Sequence, residues 1–490
     1  MSDPLKVLMV SSEVAPFART GGLADVIGAL PEVLRGAGHD VRVVLPKYAS
    51  IDADRFALRP LGEPFPIPID GQPTPTALWA TGAPGAEREV FVGHDGFYGR
   101  EGLYGDAQGD YPDNDRRFIL LARAALEACK RMGFRPDVVH AHDWQTGLVP
   151  VYLKTLHEHD PFFRNTASVF TIHNVGYQGL FPHEALRAAE LPYDRVFHIN
   201  GLEYYGQISF LKGGIVYSDL VTTVSERYAR EIQTAEYGFG MDGVLAARKD
   251  ALVGITNGVD YASWNPETDA ALPARYSPGD LSGKAACKKA LLAEFGLPEA
   301  FADRPLLGYV GRLVEQKGIS VIAEALPKLA RKKLGLVVLG QGDAALVEEV
   351  RGWGAKFGKV AAVRIGFDDA LARRVIAGSD FLLAPSRYEP CGLTQLYAMK
   401  YATVPVVRAT GGLDDTVEPW DAKAGTGTGF KFAEYTGEAL AEAVEAALKA
   451  YRAAKQMARL RANGMAADFS WARSARRYEE LYHKAMFRMP

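Results

Sequence analysis

Short apolar runs without polar alternation recur along this chain and limit what it can fold into. In the first half they are "KVLMVSSE", "DVRVVLP", "DVVHAH", "SVFTIHN" and "LVTTVS"; in the second, "PLLGYVG", "LGLVVLG", "VRIGF", "DFLLAPS" and "VPVVRA". Runs this short and this continuously apolar are strands buried on both faces, as in parallel sheets. Parallel strands need long crossovers, and helical patterns such as "GGLADVIGALPEVLRGAG" and "ALAEAVEAALKAYRAAK" supply them. The sequence therefore predicts an α/β protein of two doubly wound, Rossmann-like domains.

A length of 490 residues exceeds a single ordinary core. The less regular stretch around "ITNGVDYASWNPETD" marks the join. The expected division is 1–256 for the first domain and 257–465 for the second. Ligands of open parallel sheets sit beyond the carboxyl ends of strands, so two such sheets are expected to face each other across a deep cleft. A net charge of −3 gives no electrostatic reason to expect nucleic acid or an anionic membrane as partner. Three scattered cysteines, Cys129, Cys287 and Cys391, make no disulfide framework or zinc cluster and favour a reducing, cytoplasmic setting. The N-terminal "MSDPLKVLMVSSEVAPF" has the pattern of neither a signal peptide nor a membrane span.

One small turn is written twice. "RTGGLADVIG" begins at Arg19, and "ATGGLDDTVE" begins at Ala409. Each follows a strand, and each suits close backbone approach at a strand's carboxyl end. The first opens a long helix, so its amides and dipole point at an anion. A Gly-Gly turn alone is more commonly an ordinary structural turn. "GYVGRLVEQKG" carries more information: a strand ending in glycine is followed by Arg312 and then Lys317. Two cations beside a strand end suit a diphosphate, arginine as a fork and lysine as a point charge. In "APSRYEPCGLTQLYAMKY", Glu389 precedes a helix start near Leu393. It either caps that helix or reaches a sugar hydroxyl or a developing positive charge. "HAHDW" does not identify a metal site, because alternate residues of any strand share a face.

Taken together, "SSEVAPFARTGGLADV", "HAHDWQTGL", "TIHN", "ITNGVD", "GRLVEQKG" and "EPCGLTQLYAMKY" resemble the bacterial glycogen synthase and plant starch synthase family, in order and across essentially the whole chain. The resemblance implies a GT-B fold whose first domain is completed by the C-terminal helix, 466–490. It implies transfer of glucose from ADP-glucose to the non-reducing 4-hydroxyl of an α-1,4-glucan such as glycogen, with retention and without metal or other cofactor. By position, Arg312 and Lys317 would neutralise the departing diphosphate. Glu389 would lie near the donor glucose, with Cys391, Gly392 and Leu393 supplying backbone contacts and Thr394 near the distal phosphate. His173 would stand beside the donor sugar and Asp143 near the sugar site. Taken alone, His173 reads as a satisfied core histidine. Phe367 would stack on adenine, and Arg19, Gly21 and Gly22 would form the first donor loop.

Two positions depart from the family pattern. Arg19 replaces the usual lysine before the first Gly-Gly pair, a planar fork in place of a point charge. Tyr397 stands where many wider GT-B relatives carry a second glutamate, which fits the glycogen synthase branch. The segment "DGFYGREGLYGDAQGDYPDNDRRF", rich in aromatic and acidic groups without periodicity, reads as a long loop. Within it Tyr98 and Asn114 are the expected glucan contacts, on the ground that aromatic faces and hydrogen-bonding groups suit a neutral polysaccharide.

Overall fold

The computed structural model describes residues 3–358 and 360–488. The chain forms two compact units. The first comprises residues 1–224, 229–258 and 471–490, and the second 225–228 and 259–470. The chain passes between them at Gly258/Val259 and returns at Ser470/Trp471, against the expected 256/257 and 465/466.

The first unit is built on seven parallel strands: β1 (Lys6–Val10), β2 (Asp40–Pro46), β3 (Glu89–Gly93), β4 (Val138–His142), β5 (Ala167–Ile172), β6 (Leu220–Thr223) and β7 (Leu252–Gly254). Their order across the sheet is β7-β6-β5-β4-β1-β2-β3. Val7, Leu8, Met9 and Val10 are all fully buried, so both faces of β1 are covered, and α1 (Gly22–Gly36) and α2 (Asn114–Arg131) pack on the adjoining β2. That double burial is why the sequence shows no alternation. The C-terminal helix Trp471–Phe487 packs in this unit, where its Tyr482 hydroxyl meets His140 at 2.8 Å.

Beyond β3 the sheet continues antiparallel through Gln72–Ala80, which also pairs with Phe65–Ile69. This hairpin turns at Asp70-Gly71, both at positive φ, and pairs proline with proline at Pro66–Pro75 and Pro68–Pro73. Proline donates no ladder hydrogen bond, which confines such strands to an edge.

The second unit has a six-stranded, wholly parallel sheet: β8 (Leu306–Val310), β9 (Gly335–Gly340), β10 (Ala361–Ile365), β11 (Phe381–Ala384), β12 (Val404–Arg408) and β13 (Phe430–Phe432). Its order is β10-β9-β8-β11-β12-β13. Each sheet reverses its strand order once, between β1 and β4 in the first unit and between β8 and β11 in the second. Loops diverge at such a point and leave a crevice beyond the strand ends.

Candidate active site

In the second unit the reversal point gathers three of the expected residues. β8 ends at Val310, and a short loop carries Arg312 before a single 3₁₀ turn, Glu315–Lys317. Gly318 then stops that turn at φ +75° and starts α3 (Ile319–Leu329). A Cβ on Gly318 would stand 2.1 Å from the Pro385 carbonyl oxygen, so only glycine lets this turn approach the end of β11. The approach sets Lys317 Nζ 2.6 Å from Glu389 Oε2. Ser386 Oγ donates to the same oxygen at 3.0 Å, and Glu389 is only 7% exposed. Arg312 is exposed, with Nη2 3.3 Å from Gln316 Oε1. Buried Tyr309 donates to the Arg312 carbonyl at 2.8 Å and senses both Glu389 and Arg312, so Arg312, Lys317 and Glu389 share one locality.

The second glycine turn supports this cluster. Gly411 and Gly412 open the short helix α5 (Gly411–Thr416). Cβ atoms on them would lie 1.9 Å from the Glu389 carbonyl oxygen and 2.0 Å from that of Cys391, and Gly411 adopts φ +44°. The Gly412 amide donates to the Glu389 carbonyl at 3.0 Å. Cys391 is buried, while Gly392, at φ +70°, Leu393 and Thr394 are half-exposed at the start of α4 (Thr394–Lys400). The Gln395 amide reaches back to the carbonyls of Cys391 and Gly392 at 3.1 and 2.8 Å, fixing the loop. Phe367, after β10, is 70% exposed, a large ring left on the surface where it can stack on a planar ligand. Tyr397 stacks on Trp264 at 3.7 Å between ring centroids, so an aromatic pair fills the place of the second glutamate of wider relatives.

The first unit presents a separate group at its own reversal point. Asp143 follows β4 at φ +58°, a conformation seldom adopted by a residue with a side chain and often found at functional sites. Its carboxylate accepts the His173 amide at 2.7 Å and also the Asn174 amide. Burial nonetheless pushes its pKa up to about 7. His173 Nε2 lies 3.1 Å from His142 Nδ1, and His140 bridges Tyr482 and Thr171 at 2.8 and 2.6 Å. Burial lowers His140 and His173 to about 3 and drives His142 well down, so all three rings are neutral at physiological pH. Among the described residues no group of three or more His, Cys, Asp or Glu side chains is arranged to hold a metal ion.

The first glycine turn differs from its sequence reading. The Thr20 and Gly21 amides donate to Glu13 Oε2 at 2.5 and 3.2 Å, and Thr20 Oγ1 donates to Oε1 at 2.6 Å. The chain's own carboxylate thus occupies the anion position expected for a ligand at those two amides, and a phosphate there would be repelled. Arg19 pairs with Asp25 at 3.2 Å with its side chain 41% exposed, and Gly21 and Gly22 are exposed beside it. Sequence reasoning missed Glu13; its signal was a lone acid directly beyond a buried strand.

The two expected glucan contacts are corrected by the structure. Tyr98 is fully buried and donates to the Arg117 carbonyl at 2.6 Å. Asn114 is 3% exposed, bonded to the Tyr104 carbonyl at 2.9 Å and to Arg117 at 2.6 Å. Their segment is not one long loop but a short helix (Asp95–Tyr98), a two-rung hairpin and the start of α2. Polar groups that read as ligand contacts instead bond Arg117, fully out of solvent: Tyr98 its main-chain carbonyl and Asn114 its guanidinium.

Residues 6–247 match the family model described as starch synthase catalytic domain, and residues 297–465 match glycosyl transferases group 1. Two doubly wound parallel sheets with these matches define a GT-B glycosyltransferase. A glycogen synthase of Koribacter versatilis is 47% identical over 98% of both chains, and one of Anaeromyxobacter sp. is 49% identical over 98% of this chain and 99% of its own. The catalytic domain of starch synthase IV from Arabidopsis thaliana, solved bound to ADP and acarbose, superposes with a TM-score of 0.91 at 34% identity, covering 99% of this chain and all of that one. The chain belongs to the glycogen synthase and starch synthase family. No helix among the described residues is long and apolar enough to cross a membrane.

Proposed function

We propose that the protein transfers glucose from ADP-glucose to the non-reducing 4-hydroxyl of an α-1,4-glucan, with retention of configuration. The observation that carries this reading is the joining of Lys317, Glu389 and Arg312 at the reversal point of the second sheet. The glycogen synthase names of full-length relatives and the ADP and acarbose held by the Arabidopsis neighbour point the same way. When the donor's glycosidic bond breaks, negative charge grows on the departing diphosphate. Arg312 presents a fork and Lys317 a point charge to that growing charge, so their help is greatest in the transition state.

Glu389 holds the ammonium of Lys317 in place and lies where the carried-over family role sets it beside the donor glucose. Phe367 offers its exposed face to adenine. Asp143 and His173 belong to the transferring sugar: the neutral imidazole can donate or accept a hydrogen bond at the ring without adding positive charge against an oxocarbenium-like centre. The reaction read this way draws on no metal or other cofactor, because fixed cations meet the leaving-group charge. Closing water out would protect the donor from hydrolysis. Incubation with ADP-glucose and glycogen releases ADP and lengthens the glucan; a folded preparation releasing none defeats the proposal. Parallel turnover of UDP-glucose measures what Arg19 contributes to donor choice.

A further inference from the structure

We propose that Glu13 is a positioning residue of the transfer reaction: its buried carboxylate fixes the Arg19–Gly22 turn and Tyr104 and places a fixed negative charge beside Asp143. This rests on the glucosyltransferase reading of the same region. Glu13 is 4% exposed and lies three residues beyond β1, whose Val10 pairs with Ala141 of β4. Glu13 and Asp143 therefore emerge from adjoining strands at the reversal point of the first sheet. A carboxylate so buried needs hydrogen-bond donors on both oxygens. Glu13 has four donors: the Thr20 and Gly21 amides on Oε2, and Thr20 Oγ1 and the Tyr104 hydroxyl, each at 2.6 Å, on Oε1. Tyr104 is held from a second side by Ser12 Oγ at 2.8 Å.

These bonds point to function rather than to packing alone. The turn they fix is exposed and begins α1, and it carries the cation Arg19. The groups facing Asp143 are Glu13 from beyond β1, the His173 and Asn174 amides after β5, and His142 at the end of β4 by way of His173. Tyr48 and Tyr104 also sense Glu13, with Arg117 of α2 behind Tyr48. Among these, the Glu13 carboxylate is the negative charge acting on Asp143, and it raises the Asp143 pKa further after burial has raised it.

Glu13→Gln tests this at almost constant shape. An amide puts an NH₂ in place of one oxygen, so one pair of donors loses its acceptor. Expected are a fall in kcat of at least about tenfold, a smaller change in the KM for glycogen, and movement of the Asp143-governed midpoint of the pH–rate profile toward lower pH by at least about half a unit. A purely structural role would lower the melting temperature and leave that midpoint where it was. A folded Glu13→Gln protein with kcat within twofold of wild type and an unmoved midpoint overturns the proposal. If that variant does not fold, Tyr104→Phe decides, since it removes one of the four donors. It keeps the charge but loosens its placement, so kcat is expected to fall with the KM for glycogen little changed and the midpoint in place; an unchanged kcat overturns the inference. Wild-type protein that releases no ADP defeats the transferase reading itself and this inference with it.

Discussion

Replacing Lys317 by alanine separates a role in charge stabilisation from one in glucan binding. The lysine ammonium sits 2.6 Å from Glu389, with the lysine side chain 23% and the glutamate side chain 9% exposed. Opposite charges about 4 Å apart interact by about 4 kcal/mol at an effective dielectric of about 20. Stranding one partner of a fully buried pair costs about 3–5 kcal/mol. Solvent reaches the lysine end here, so about 2–4 kcal/mol is the expected loss of stability. That corresponds to a drop of about 4–16 °C in the melting temperature of the second unit, at about 2–4 °C per kcal/mol for a unit of roughly 200 residues. Losing one fixed donor against developing charge costs about 10²–10³ in kcat. Initial rates of ADP release, with ADP-glucose and glycogen varied in turn, are expected to show that fall with the KM for glycogen within about twofold. Equal losses in turnover and glycogen affinity would refute the assignment of Lys317 to the leaving diphosphate.

Phe367→Ala removes an exposed ring and is expected to raise the KM for ADP-glucose by about five- to tenfold, on about 1–1.5 kcal/mol of stacking, with no change in melting temperature. An unchanged donor KM removes Phe367 from the adenine site. Gly411→Ala meets the Glu389 carbonyl 1.9 Å from its Cβ at φ +44°, so thermal melts are expected to show a loss of about 2 kcal/mol or more together with lost donor binding. Wild-type melting would contradict the close approach. Acid is expected to weaken the first unit. His140 and His173, lowered to about 3, take protons in the unfolded chain from about pH 6.5 downward but not in the folded one, so stability falls as pH drops through that window by up to about 1.4 kcal/mol per unit for each ring. Asp143, raised to about 7, is protonated earlier in the folded state and offsets one ring between about pH 7 and 4. Buried His142 adds to the loss, so urea midpoints should decline from pH 7 to pH 5; a midpoint that holds or rises contradicts this.

The strands that could be read from sequence were those dominated by apolar residues. β1, β2, β4, β6, β8, β9, β11 and β12 each sit inside one of the runs quoted at the outset, and β5 and β10 overlap theirs. β7 and β13 are three residues long, too short for any pattern to show. The proline-laden edge "FPIPIDGQPTPTALWA" looks like a strand-breaker until its Asp70-Gly71 turn is noticed, a hairpin signal the apolar count ignores. In the site, Arg312, Lys317 and Glu389 could be expected near one another because each lies in a loop beyond a buried strand, while their roles came from the family resemblance. Tyr98 and Asn114 misled because their partner, Arg117, lies further along the chain and its burial is settled by tertiary packing. The repeated Gly-Gly turn was visible as a pattern, but which partner each copy meets, a carboxylate side chain for one and peptide carbonyls for the other, depends on what folds against it.

The donor-side loops are interlocked where glycines press against peptide carbonyls: Gly318 on Pro385, Gly411 on Glu389 and Gly412 on Cys391. Segments wedged together this way have little freedom left to surrender. On the proposed donor-binding reading, a nucleotide arriving there would meet a frame already formed, so little of its binding energy would go into ordering these loops. Sequence drift in the exposed side chains around that frame can therefore retune which base or sugar is accepted while the frame itself stays put.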